Sequence, residues 1–184
     1  MLTFTAKRGR HGILTDFVYT DVRSDIELAP ALGLSVETVS KNQVLTLGYA
    51  YEVSRRDSGA FLDVFAAARY ANVDTSLRFG DGAGGPLAGR RLEDEDDWID
   101  PVLGIKGYTP LGDSRFYLRG WAAVGGFEVG SDLLYELSLN IGYQWTDSIG
   151  TSLGYRYFDV EYDNDGFLYD VEQEGVVLGL TWNF

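Results

Sequence analysis

The 184-residue chain contains no cysteine, which excludes a disulfide scaffold and a thiolate metal site. It has one histidine, His11, and only 15 basic residues against 28 acidic ones. A net charge of −13 offers no basic patch to displace counterions from phosphates, so nucleic acid is not an expected partner. Long hydrophobic runs are also missing. Charged or strongly polar residues interrupt every apolar stretch before the roughly 18 residues that a membrane helix needs, so any membrane crossing must be made by strands. Met1 to Arg10 (MLTFTAKRGR) has neither the apolar stretch nor the cleavage site of a signal peptide. An exported barrel requires one, and the expectation is therefore a mature or truncated form.

What the chain has in quantity is glycine and aromatics, with 23 Gly, 12 Tyr, 10 Phe and 4 Trp beside only 4 Pro. That composition suits one β-rich domain over residues 1–184. The C-terminal segment DVEQEGVVLGLTWNF places Val176, Leu178, Leu180, Trp182 and Phe184 on one face of a strand, with Gly175, Val177, Gly179, Thr181 and Asn183 on the other. An apolar face ending in aromatics and backed by small or polar residues reads as a lipid-facing strand. The same alternation sets Tyr135, Leu137, Leu139, Ile141, Tyr143 and Trp145 against Glu136, Ser138, Asn140, Gly142 and Gln144. Strands are expected over 12–22, 43–53, 60–77, 98–108, 115–127, 134–145, 149–162 and the C-terminal segment, with a further short one over 2–7.

Connections alternate in length. Segments 7–11, 54–59, 108–114 and 146–148 are short, whereas 23–42 and 72–97 are long. Short periplasmic turns opposite long external loops are the pattern of outer-membrane barrels. Counting from Gly12 gives eight strands with both ends periplasmic. Residues 2–7 would then be an arm, or the chain would be nine strands of a ten-stranded parent. A soluble lipocalin-like barrel shares the alternation, but here Tyr and Trp lie near strand ends with Leu, Ile and Val between them, as in aromatic girdles around a hydrocarbon-facing band. The expected fold is an all-β, closed, up-and-down antiparallel transmembrane β-barrel.

The segments GRHGILTDFVYTDV, WIDPVLGIKGYTPLGDSRFYLRGWAAVGGFEVGSD and GYRYFDVEYDNDGFLYDVEQEGVVLGLTWNF resemble a family of small, largely uncharacterised outer-membrane β-barrel proteins of proteobacteria. The similarity runs over nearly the whole chain from about Leu2. It implies an outer-membrane location in a Gram-negative cell envelope, a signal peptide and a preceding strand absent here, and no particular activity. Charged residues common in the family stand where this chain has Trp121 and Ala123. The final strand, ending in Phe184, resembles the signal read by the barrel-assembly machinery.

Polar residues on the face opposite the apolar one form the first candidate site. Register around the 146–148 turn pairs Ser138 with about Arg156 and makes Glu136 a diagonal neighbour of that arginine. Asp63, Arg69, Asp100, Lys106 and Arg119 fall on the same expected face as Glu136 and Arg156. In a small barrel such residues pair and fill the lumen, whereas in a wider one they would line a narrow, porin-like pore.

Acidic loop residues form the second candidate. Glu161, Asp163, Asp165, Gly166 and Glu172 match a calcium-loop spacing except for Glu at its first position, but their flanks alternate as strands, whereas an EF-hand needs helices. Glu93-Asp94-Glu95-Asp96-Asp97 reads as a solvated loop, with divalent-cation bridging to lipopolysaccharide as the alternative. Residues 81–86 (DGAGGP) read as a flexible tip, since no GK[ST] follows to make a phosphate cradle.

Known barrel enzymes of the outer membrane use a histidine at the outer leaflet to activate serine or water, and His11 falls instead at a short turn. The expectation is a monomeric, non-enzymatic protein with no cofactor or metal. Its expected partners are outer-membrane lipid, lipopolysaccharide and the assembly machinery, and its role is structural or surface-interacting. A narrow solute pore and a soluble ligand-binding β-barrel are the alternatives.

Overall fold

A computed structural model describes residues 1–29, 34–79, 89–164 and 167–183. Phe184, Asp165, Gly166 and the 81–86 tip lie outside the described residues. The strands are β1 (Leu2–Arg8), β2 (His11–Ala29), β3 (Leu34–Arg55), β4 (Phe61–Phe79), β5 (Arg91–Pro110), β6 (Phe116–Gly126), β7 (Leu133–Gln144), β8 (Ile149–Asn164) and β9 (Phe167–Trp182). They form one antiparallel up-and-down sheet in sequence order, β1 through β9.

Among the described residues the strands number nine, the second of the two expected counts: residues 2–8 form the strand β1, hydrogen-bonded to β2, and are not an arm. One expectation needs correction. Residues 23–42 and 72–97 are not long loops over most of their length, since β2, β3, β4 and β5 run far into them. The physical reason is that backbone pairing satisfies polar groups regardless of side-chain polarity. A charged run such as Glu93–Asp97 can therefore stay in a hairpin whose side chains are solvated, and reading polarity as loop underestimates strand length.

By contact, the chain divides into two compact units. One comprises Met1–Thr3, Asp16–Leu45 and Tyr70–Trp98; the other comprises Phe4–Thr15, Thr46–Arg69 and the chain from Ile99 on. In the first, the Thr3 hydroxyl donates to Asp16 at 2.7 Å and the Asn72 amide donates to Glu95 at 3.1 Å. The second holds the regular register of β5 to β9. Lys106 stands opposite Trp121, Trp121 opposite Ser138, Ser138 opposite Arg156 and Arg156 opposite Gly175. Three rows along, Leu118, Ile141, Leu153 and Leu178 are successive partners on the other face.

The two faces differ in burial as well as chemistry. Leu137, Leu139, Ile141, Leu153, Val176, Leu178 and Leu180 are exposed, Leu178 at 82%, while Glu136, Asp63 and Arg69 on the opposite face are buried. Close packing on the buried face depends on glycine. A Cβ at Gly104 would run into the Phe65 ring, and one at Gly142 into the Tyr117 ring. The Phe65 and Trp121 rings meet at 4.6 Å between centroids. Large aromatics beside glycine fill this face where a run of medium-sized residues would clash.

Candidate functional site

The most organised chemistry in the molecule is the buried polar network of the second unit, and every residue in it is there because strand alternation directs it to that face. It consists of two clusters. On β4 the inward positions run Asp63, Phe65, Ala67, Arg69, so Phe65 and Ala67 separate the cluster at Asp63 from the cluster at Arg69.

The first cluster centres on Asp63, which is fully buried. Lys7 of β1 donates to its Oδ1 at 2.7 Å, and Lys106 of β5 stands 3.7 Å from its Oδ2. Lys7 also reaches Glu52 at 3.2 Å and lies 3.8 Å from the centre of the Phe61 ring. Glu52 in turn accepts from Arg55 Nε at 2.7 Å. Two lysines and an arginine thus share two carboxylates, and each buried carboxylate has a cation to offset its desolvation.

The second cluster centres on Glu136. Arg69, whose side chain is 2% exposed, donates to Glu136 Oε2 through Nη2 and to Thr46 Oγ1 through Nε at 3.0 Å. Arg156 Nη2 stands 2.6 Å from Glu136 Oε1. The Phe158 ring lies 5.4 Å from the Arg69 guanidinium carbon. Glu136 therefore divides its two oxygens between two guanidinium groups, a charge-assisted arrangement of the stronger kind.

Of the seven residues expected in the network, Asp63, Lys106, Arg69, Glu136 and Arg156 are brought into these two clusters. Asp100 is buried, but it accepts from the Ser131 backbone N–H at 2.6 Å and so anchors the segment between β6 and β7. In that segment Phe127 and Glu128 both adopt left-handed backbone conformations. Arg119 departs from the expectation. It shares its face with Tyr117 and Trp121 but is exposed, with the Tyr117 ring 5.8 Å from its guanidinium. Alternation fixes the face on which a side chain emerges, and it leaves open whether neighbouring strands cover that position.

Lys7, Glu52 and Thr46 join these clusters although none is among the seven expected residues. Lys7 stands at the end of the short strand expected over 2–7. Glu52 and Thr46 alternate correctly on β3 with Gly48 and Ala50, which was signal enough to find them. Elsewhere, His11 is exposed at its turn, with Nδ1 2.5 Å from the Tyr49 hydroxyl. Glu161 and Glu172 stand in paired strands, opposite Asp170 and Asp159. Among the described residues no group of three or more His, Cys, Asp or Glu could hold a metal ion. Outside the band of exposed apolar residues, burial pushes the Tyr169 hydroxyl up to about 12. A shallow depression of about 680 Å³ lies among Leu47, Tyr49, Ala66, Ala68, Ile99 and Val129; most of these residues are exposed and apolar.

Family models, curated proteins and solved structures were all compared with the chain, and none matches it.

Proposed function

We propose that this chain is a non-enzymatic β-barrel protein of a Gram-negative outer membrane, a member of the small family it resembles, with a structural or surface-interacting role and a lumen filled by its paired charges. The observation that carries this reading is the inversion of the two faces. Leucine, isoleucine and valine lie exposed in rows, while Arg69, Asp63 and Glu136 are buried and paired, with the half-buried Lys7 and Arg156 among their partners. Water as the outer solvent would favour the reverse; a hydrocarbon solvent favours what is found.

The length of the exposed band supports the same reading. From Tyr135 to Trp145 on β7 and its turn is eleven residues, ten steps that make about 33 Å of strand and about 25 Å once tilted as barrel strands are. Tyr135, Tyr143 and Trp145 flank Leu137, Leu139 and Ile141 at the two ends. In this reading the short turns are periplasmic, lipid and lipopolysaccharide surround the exposed face, and the barrel-assembly machinery reads Val176, Leu178, Leu180, Trp182 and Phe184. Closure joins β1 to β9. In a nine-strand meander these run in the same direction, so closure takes either a parallel pair or one more strand antiparallel to both.

The test is folding in detergent and in water, followed by bilayer recording. The expected result is partition into the detergent phase, a folded form that migrates differently on gels before and after heating, and no stepwise conductance. A folded monomer that stays in the aqueous phase would instead support a soluble ligand-binding barrel. Open-channel currents would support the narrow pore.

A further inference from the structure

The net charge of −13 conceals a division of charge along the strands. Segments 21–41, 74–97, 128–132 and 159–174, which alternate along the sequence with the short turns, hold 20 of the 28 acidic residues and five of the 15 basic ones. The rest of the chain keeps eight acids and ten bases. Six of those bases, Lys7, Arg8, Arg10, Arg55, Arg56 and Arg115, lie at the short turns, with Asp57, Asp113 and Asp147 as the acids there.

The turn carrying Arg8 and Arg10 and the turn carrying Arg55 and Arg56 are neighbours, since the Glu52 amide donates to the Arg10 carbonyl at 2.8 Å. Arg8, Arg10 and Arg56 are exposed, and no ion pair holds them among the described residues. Lys7 and Arg55, by contrast, are committed to Glu52 and Asp63. Immediately along the strands from these arginines come the exposed apolar side chains Ile13, Tyr49, Val53 and Leu62. Free guanidinium groups bordering an exposed apolar band match the order of a bilayer leaflet, in which phosphates border hydrocarbon.

We infer that this rim, centred on Arg8, Arg10 and Arg56, is a docking surface for the phosphates of anionic phospholipid in the leaflet at the short-turn end. The inference rests on the membrane reading above and adds to it a lipid preference and an orienting device. Arginines hold one end at an anionic surface, and the acidic hairpins at the other end are repelled by it.

The experiment refolds the full chain into vesicles of phosphatidylcholine alone and into vesicles with one-fifth phosphatidylglycerol, for the native chain and for the triple variant Arg8→Gln, Arg10→Gln, Arg56→Gln. The native chain is expected to associate and fold at least about tenfold more efficiently on the anionic vesicles at low salt, an advantage that shrinks at high salt. The triple variant is expected to fold as well as the native chain in phosphatidylcholine and to lose the preference. Inorganic phosphate at matched ionic strength should compete no better than chloride. A native chain indifferent to lipid charge, a variant that keeps the preference, or specific competition by free phosphate or by a soluble polyanion would overturn the inference while leaving the membrane reading standing. Failure to enter either kind of vesicle, with folding in water, would overturn both.

Discussion

Glu136 is the residue on which the buried charges depend most. Replacing it with glutamine leaves Arg69 and Arg156 facing a neutral amide, and Arg69 has almost no access to water. Glu136→Gln should cost about 3–5 kcal/mol, the usual penalty for stranding a buried charge. Arg156→Gln should cost less than half as much, because the Arg156 side chain is 16% exposed and Glu136 keeps Arg69. The double replacement Arg69→Gln with Glu136→Gln should be milder than Glu136→Gln alone. Urea unfolding of the three variants measures this order. Equal and negligible losses would mean that water reaches both charges, as in an open channel. At this scale the sequence was legible where partners sit on adjacent strands. Glu136 and Arg156 follow from one turn and its register, whereas Arg69 lies three strands from Glu136 and no local pattern relates them.

At the scale of a strand, β7 offers two adjacent positions with opposite surroundings. Leu139 is 59% exposed in the middle of the apolar band, and Ser138 lies between Trp121 and Arg156 on the other face. Leu139→Arg should cost about 2–4 kcal/mol in a bilayer, the penalty for a cation near the midplane, while Ser138→Ala should be mild. Unfolding in detergent or lipid compares them, and equal tolerance would sink the assignment of faces. For β9, deleting Phe184 should lower the yield of folded protein in cells far more than it lowers the stability of refolded protein. Equal losses in both settings would reduce Phe184 to packing. Beyond the band, the hairpin of β8 and β9 has its own pH dependence. Because burial raises the Tyr169 pKa to about 12, the unfolded chain ionises near the ordinary value of 10 while the folded one stays neutral. Stability of this hairpin should therefore be intact below pH 10 and fall as the pH rises toward 12, with tyrosinate absorbance as the readout.

For the whole molecule, the ends of the sheet matter most. β1 is a seven-residue strand with exposed apolar side chains at Leu2 and Phe4, and Lys7 ties it to Asp63 of β4 and Glu52 of β3. Lys7→Met should cost about 1.5–3 kcal/mol through the loss of charge-assisted bonds to a buried acceptor. It should also raise amide exchange in β1 before any other strand. Uniform acceleration across all nine strands would show that Lys7 supports the network as a whole. At the other end, β9 carries Val176, Leu178 and Leu180 at more than 70% exposure, a long apolar strand of the kind that aggregates in water unless covered.

The sequence by itself determined which face of each strand is apolar, because a period of two residues allows only two choices and glycine, serine and charge mark one of them. It determined the turn at 146–148, and with it the register of β7 against β8, because turn length and strand alternation leave a single pairing. Only the tertiary structure decided how far the strands run. Charged residues in β2 to β5 pair their backbones as well as apolar ones do, so polarity could not mark the strand ends. Only the tertiary structure decided which charges meet across the second unit, drawing Lys7 to Asp63 and Arg69 to Glu136 and leaving Arg119 exposed, because no local pattern relates residues on strands that are not neighbours.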